Sequence, residues 1–562
     1  MTTSQTPARP ARRGVLSGLT AGRAESVLAQ PASAQNRRPP HAIRRRARRL
    51  LDEGWLFARD DGDAAHHHAA IAWRPAPVPH LDAGHTTGGA ATPIWYRRNL
   101  RMPETWRGRR LFLHFEGAGD VAEVYVDGVR AGGHAGGATA FSLDVTEPLR
   151  LRAPGAEATV TVRVAAPAQP GPAVHRVGLH RNVWFVATEE VHLDLLDSPG
   201  VQVETADLDA ARALVRVRGR VVNDADTATT ARVRSRVLDA GGVVVADAQS
   251  EVALAARATA RFELELPAIA HPHLWSTETP YLYRVSTVVD SGHGRDRVDV
   301  PLGLRHLAAD ATGFRLNGAP YRLAPTGLHE GAMGRHPHSD AARIQGLRTL
   351  KGMGVNVVRM PHDAQSATVL EAADELGLLV WQELPPVRRA TLTGSFAADH
   401  LGSVREMVRQ RSSHPSVAVW GTSDELALPG IGPAPQPGDL THEMVRLGDE
   451  LVRAEDPSRP TASAGADPVA GPAGWVAALY QAWTLSRLYP SLALPYAKQP
   501  GRPARATHTA SVGDSANGVP GPETLVLAGS PGSDRPGDRG AEPGLRPVGR
   551  IRAARKLHRR SA

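Results

Sequence analysis

The sequence has no cysteine in 562 residues. That absence excludes a disulfide framework, a thiolate nucleophile and a cysteine-ligated zinc, and it fits a reducing, cytoplasmic setting. There is also no apolar run of about 18 residues, the length a helix needs to cross a bilayer, so no membrane partner is expected. Basic charge is scarce where a nucleic-acid interface would require it. The formal net charge is +9, yet eleven arginines against Glu25 alone give residues 1–49 a charge of +10. Residues 500–562, with eleven Lys/Arg and five acids, hold +6, which leaves −7 for the body of the chain. A nucleic-acid partner needs a basic face on the folded part, and none is expected here.

The two arginine-rich ends read as solvated extensions. Residues 1–49 are expected to be a basic, disordered leader. Within it, Arg12-Arg13, a weakly apolar stretch and Ala32-Ser33-Ala34 resemble a twin-arginine export signal, though Arg23 and Glu25 interrupt it. Export therefore stands as the alternative to a cytoplasmic location. Residues 500–562 are dominated by Pro, Gly, Arg, Ser and Ala. They are expected to be a low-complexity tail, because so little apolar surface cannot offset the entropy of ordering it.

What lies between has globular composition, 41% hydrophobic and 22% charged, and is long enough for several domains. From about residue 50 to 194 short strands alternate with turn signals: "RRLFLHFEG", "VAEVYVDG", "TAFSLDVT" and "ATVTVRVAAP". Asp127-Gly128 marks a hairpin. This spacing without helices predicts a jelly-roll β-sandwich. Residues 195–302 repeat the pattern in "ALVRVRGRVVN", "ARVRSRVLD", "ARFELELP" and "YLYRVSTVVD", which predicts an immunoglobulin-like sandwich.

Near residue 303 the rhythm changes. Near-continuously apolar strands, "YRLAPTG", "VNVVRM", "LLVWQE" and "VAVWGTS", alternate with helical patterns such as "SDAARIQGLRTLKGMG" and "TVLEAADELG". "PTASAG" reads as a fifth strand and "AALYQAW" as a doubtful sixth. Strands of this kind belong to a parallel sheet covered on both faces. Residues 303–499 are accordingly expected to form a TIM barrel, (β/α)8, incomplete at its C-terminal end.

In such a barrel the C-terminal ends of the strands face the active site. The first strand delivers His329 and Glu330, the second Arg359 and His362, the third Trp381, Gln382 and Glu383, and the fourth Trp420, Asp424 and Glu425. Carboxylates, histidines, an arginine and tryptophans on one rim suit a sugar: aromatic faces stack on the ring, and a carboxyl group protonates the glycosidic oxygen. Each has a plainer reading. Ser423-Asp424-Glu425 after a strand is also a helix N-cap with favourable dipole contacts, and the histidines can be ordinary loop residues. His66-His67-His68 has no carboxylate at ligand spacing. No metal and no cofactor are expected, with a divalent cation left open.

The motifs resemble those of glycoside hydrolase family 2, the group of β-galactosidases, β-glucuronidases and β-mannosidases. The resemblance covers about residues 50–465. It is carried by "WYRRNLRMPETWRGRRLFLHFEG", "GLHRNVWF", "GLRHLAADATGFRLNGAPYRLAPTGLHE", "MGVNVVRMPH", "ADELGLLVWQE" and "HPSVAVWGTSDEL". It implies a retaining exo-β-glycosidase acting on a carbohydrate substrate, with β-galactoside the first expectation and β-glucuronide the second. It implies that Glu425 is the acid/base residue, with His329, Glu330, Arg359, His362, Trp381, Glu383, Trp420 and Asp424 lining the sugar subsite.

The chain departs from the family pattern in two places. The family's Asn before the acid is Asp424 here. An ionised Asp cannot donate the hydrogen bond that Asn makes, and a second carboxylate tends to raise its neighbour's pKa. The family's nucleophile, a Glu ending strand seven, has no evident counterpart. Beyond Glu455 only Glu523 and Glu542 remain, and Glu523, before a short apolar run, is the weak candidate. Residues after about 465 are therefore not expected to be the family's own C-terminus. The alternative is a non-catalytic, degenerate member that binds carbohydrate or is inert. A homo-oligomer is left open.

Overall fold

The structure is a computed structural model. It describes residues 46–59, 72–81, 92–150, 156–165, 177–196, 200–310, 313–327, 340–360, 364–384, 394–423 and 440–463. The twin-arginine stretch, His66-His67-His68, "AALYQAW" and the tail lie outside the described residues.

The first part is an antiparallel sandwich. One sheet runs in the order Ala47–Leu50, Val183–Thr188, Arg110–Phe115, Phe141–Asp144. The other runs Arg74–Ala76, Trp55–Arg59, Ile94–Arg101, Glu157–Ala165, Val121–Val126, Val129–Ala135. Alternating side chains of both sheets, among them Trp55, Tyr96, Leu113, Phe115, Val162 and Phe185, meet in one core. The hairpin signalled by Asp127-Gly128 is present: both residues have positive φ, 53° and 80°, and Val126 pairs with Val129 across the turn. Such left-handed pairs match the strands' twist.

The N-terminal boundary differs from expectation. Part of the basic run is a strand, Ala47–Leu50, paired with Trp184–Ala187. Its arginines are engaged by the fold. Arg48 stacks on Trp184 at 4.3 Å. Arg46 donates through Nε to Asp296 at 3.1 Å and through Nη2 to the Leu193 carbonyl at 2.9 Å. Asp296 belongs to the second sandwich and is 1% exposed, so the start of the first sandwich is tied to the second by a buried charge pair.

The second sandwich pairs Val201–Leu208 and Ala258–Glu265 with the long central strand Arg212–Asn223. It packs this sheet on a second, in the order Val244–Leu254, Thr229–Leu238, Tyr283–Ser291, Gly294–Leu302. Valines alternating with arginines along the strands place one face in the core and the other in water.

A small antiparallel sheet (Leu307–Asp310, Gly313–Leu316, Ala319–Pro320) leads into five parallel strands in sequential order. These are β1 (Pro325–Gly327), β2 (Val357–Met360), β3 (Leu379–Glu383), β4 (Val417–Ser423) and β5 (Thr461–Ser463). Between them run α1 (Asp340–Gly352), α2 (Ala367–Leu376), α3 (Gly394–Arg411) and α4 (Leu440–Glu455). The expected first five strands are all present. The caps of α2 follow its sequence: the Ser366 side chain accepts from Val369 N–H, and Gly377 ends the helix in the left-handed region. Ring closure into a barrel is not visible among the described residues.

Candidate active site

The two faces of the parallel sheet are chemically different. Toward the helices it presents Val358, Met360, Val380, Val417 and Trp420, packed against Leu370, Val404, Met407 and Val452. The opposite face begins as a dry floor. Val357, Leu379, Ala418 and Val419 meet Phe314 and Leu316 of the small antiparallel sheet, and Trp275, which the second sandwich inserts. Trp275 is fully buried, and its Nε1 donates to the Asp374 carbonyl at 2.9 Å.

Beyond this floor, toward the C-terminal ends of the strands, the face becomes polar. Arg359 of β2 donates through Nε and Nη2 to the two carboxylate oxygens of Glu383 of β3, at 2.7 and 2.9 Å. Such parallel, charge-assisted contacts fix the planes of both groups. The Arg359 guanidinium lies 5.2 Å from the centroid of the Trp381 ring, within cation–π range. Gly421 of β4 completes the arrangement. A Cβ there would collide with Glu383 Cγ and come within 3.0 Å of Trp381 Nε1. Glycine is needed for space, not for an unusual φ. Arg359, Trp381 and Glu383 are 2%, 5% and 2% exposed, so they form an interlocked plate beneath the rim.

The rim is also shaped from the helix side. His400 of α3 is within 3.2 Å of the Thr422 carbonyl through Nε2, and burial pushes its imidazole down to about 4. Thr422 donates to Asp449 of α4 at 2.6 Å. The last turn of β4 is therefore fastened to both flanking helices. β4 ends at Ser423, the residue before Asp424 and Glu425.

Of the residues expected in the sugar subsite, the structure brings together Arg359, Trp381 and Glu383. Trp420 is a correction. It is fully buried on the helix-facing side, and its Nε1 donates to Asp456 at 2.9 Å. The cause is an irregularity in β4: Val417 pairs with Val380, but Val419 pairs with Trp381. One extra residue, Ala418, reverses the parity of the strand beyond it, and Trp420 turns away from the face that carries Arg359 and Glu383. Burial alone would raise the Asp456 carboxyl, but Arg459, Ser458 and Trp420 hold it below the usual carboxylate value. His329, Glu330, His362, Asp424, Glu425 and Glu523 lie outside the described residues. Sequence reasoning missed Gly421, His400 and Trp275. A glycine in an apolar strand signals close approach, so Gly421 alone had a readable mark. Among the described residues no three His, Asp or Glu side chains converge as metal ligands do.

Comparison with known proteins gives a consistent picture. Residues 196–305, the second sandwich, match the model of "Glycosyl hydrolases family 2". A putative β-glucuronidase of Formosa agariphila is 28% identical over 440 residues, 74% of this chain and 51% of that protein. The β-galactosidase BoGH2A of Bacteroides ovatus is 29% identical over 405 residues, 68% of this chain and 47% of that protein. Among solved structures, Bacteroides uniformis β-glucuronidase 2, covalently bound to cyclophellitol-6-carboxylate aziridine, superposes with a TM-score of 0.68. Its identity is 27%, over 74% of this chain and 52% of that one. The chain spans about half the length of the curated relatives it matches.

Proposed function

Because the chain belongs to glycosyl hydrolase family 2, we propose that it hydrolyses the terminal β-glycosidic bond of a sugar with retention of configuration. β-Galactosides are the first substrates to assay and β-glucuronides the second, the two activities that its relatives' names carry. In this reading the five parallel strands are part of a (β/α)8 barrel. The observation that supports it is positional: β4 is fastened to α3 and α4 beside the Arg359–Glu383–Trp381 plate and ends one residue before Asp424-Glu425.

Glu425 would act first as an acid, protonating the glycosidic oxygen while a carboxylate attacks the anomeric carbon to give a glycosyl ester. It would then act as a base, taking a proton from the water that hydrolyses the ester. Two carboxyl groups about 5–5.5 Å apart are needed for this route. The attacking group is the open element, with Glu523 a weak candidate in the sequence. The plate under the rim holds charges in fixed positions and excludes water. A preorganised site of this kind works without reorganising during the reaction.

The test is a panel of chromogenic β-galactosides and β-glucuronides. Turnover that falls by about a thousandfold or more in Glu425→Gln, for a substrate whose leaving group needs protonation, supports the proposal. Wild-type chain that binds sugar without turnover supports a second reading, a non-catalytic family member. That reading is favoured by one sequence observation: no glutamate after Glu455 has a strand–Glu–Gly context.

A further inference from the structure

A cavity of about 500 Å3 lies between strand Val201–Leu208 of the second sandwich and the N-terminal end of β4. This is the opposite end of the parallel strands from the rim. Its walls carry both charge signs, but the charges are not equally satisfied. Among its acids, Glu455 turns its oxygens to Arg409 at 2.8 Å and to Arg405 at 3.4 Å. Asp456 is held by Arg459, Trp420 and Ser458. Asp207 pairs with Arg212 at 2.7 Å, and Glu204 lies 3.8 Å from Arg216.

Two of its arginines have no carboxylate partner among the described residues. Arg305 spends Nε and Nη2 on the carbonyls of Pro415 and Val417. Arg218 spends Nε on the Gln202 amide oxygen and Nη2 on the Glu455 carbonyl, both at 3.0 Å. Carbonyl oxygens satisfy these donors but carry no formal negative charge, and each guanidinium has a second terminal nitrogen left over. Burial, and then the neighbouring Arg459, push Arg305 well below the ordinary arginine value, against the opposing pull of Asp456 and Asp374. A partly buried cation with no carboxylate in direct contact carries a desolvation cost that a bound anion reduces.

We propose that this cavity binds a small organic anion, a carboxylate or phosphate group on a hydroxylated body, through Arg218 and Arg305. The planar guanidinium fork matches both kinds of oxyanion. The cavity is within the size range of small-molecule sites, far larger than one oxyanion needs. Ser412, Ser413 and Thr205 on its wall supply neutral hydroxyls for the remainder of the ligand. The site does not depend on the glycosidase reading, because it is built from the opposite end of the sheet and from the second sandwich.

Calorimetric titration of the full chain with glucuronate, glucose 6-phosphate and neutral glucose tests it. At least one of the two anions is expected to bind more tightly than about 10 mM and about tenfold or more tighter than glucose, and to weaken as salt is added. Arg218→Gln keeps a donor near the position of Nε, toward Gln202, while removing the charge and the terminal nitrogens, and is expected to weaken anion binding about tenfold. Glu204→Gln removes a like charge from the wall and is expected to tighten binding about two- to threefold. The two variants move the affinity in opposite directions, which general damage to the fold would not do. Glucose binding as tightly as both anions, no anion binding below about 10 mM, or anion binding unchanged in Arg218→Gln, as a site at the rim would give, overturns the proposal.

Discussion

At the residue scale, the plate under the rim depends on a side chain that is absent. Gly421 lies where any Cβ would press on Glu383 and Trp381, both nearly inaccessible to solvent. Gly421→Ala is therefore expected to destabilise the protein by about 1–3 kcal/mol, the usual cost of overpacking, and to displace the Glu383 carboxylate from Arg359. Urea denaturation measures the first effect. An unchanged midpoint would mean that the strands can separate at no cost. The same stretch shows what the sequence could and could not tell. That Arg359, Trp381 and Glu383 lie toward the C-terminal ends of their strands was readable, because an alternating β/α pattern fixes where the strands end. Trp420 was not. Both faces of a parallel strand are apolar, so periodicity cannot say which tryptophan faces which way, and the extra residue at Ala418 leaves no compositional trace.

At the scale of elements, α3 is aligned by a loop from the first sandwich. Gln410 of α3 donates to the Ala140 carbonyl at 2.7 Å and accepts from Ala140 N–H at 3.1 Å. Glu406, one and a bit turns earlier, accepts from Thr139 Oγ1 at 2.5 Å and lies 3.0 Å from His134 Nε2. Ala138 of the same loop sits in the core beneath the helices. Since α3 runs directly into β4, this clamp sets the position of the strand that precedes Asp424-Glu425. Gln410→Ala strips both backbone groups of Ala140 of their partner. Leaving such buried groups unsatisfied costs about 1–3 kcal/mol each, and the lowered urea midpoint would be accompanied by earlier protease cutting between the first sandwich and α3. Helix ends were among the most readable features, because Ser366 and Gly377 act through local geometry alone. The clamp was not readable, because its partners are 270 positions apart in sequence.

At the scale of the whole molecule, several histidines are kept neutral by burial. Burial pushes His400 down to about 4, and burial followed by the nearby Arg48, Arg411 and Arg46 pushes His114 down to about 3. The unfolded chain has ordinary histidines, near 6.5, so between these values it binds protons that the folded chain does not. The contribution of both groups is complete above pH of about 6.5 and is lost steadily as the pH falls toward 4. The expected slope is about 1.4 kcal/mol per pH unit for each group. Urea midpoints measured from pH of about 6.5 down to about 4 check this, and His400→Gln is expected to flatten the slope by one group's share.

The insertion of Trp275 bears on how this architecture can be divided. Its indole belongs to the second sandwich by sequence, yet it fills the base of the parallel sheet together with Phe314 and Leu316. Modular exchange between relatives, with a crossover placed at the apparent boundary near residue 303, would transplant a sheet without its stopper. A successful chimaera has to inherit the tryptophan with the strands it seals, or supply an equally bulky ring from its new neighbour.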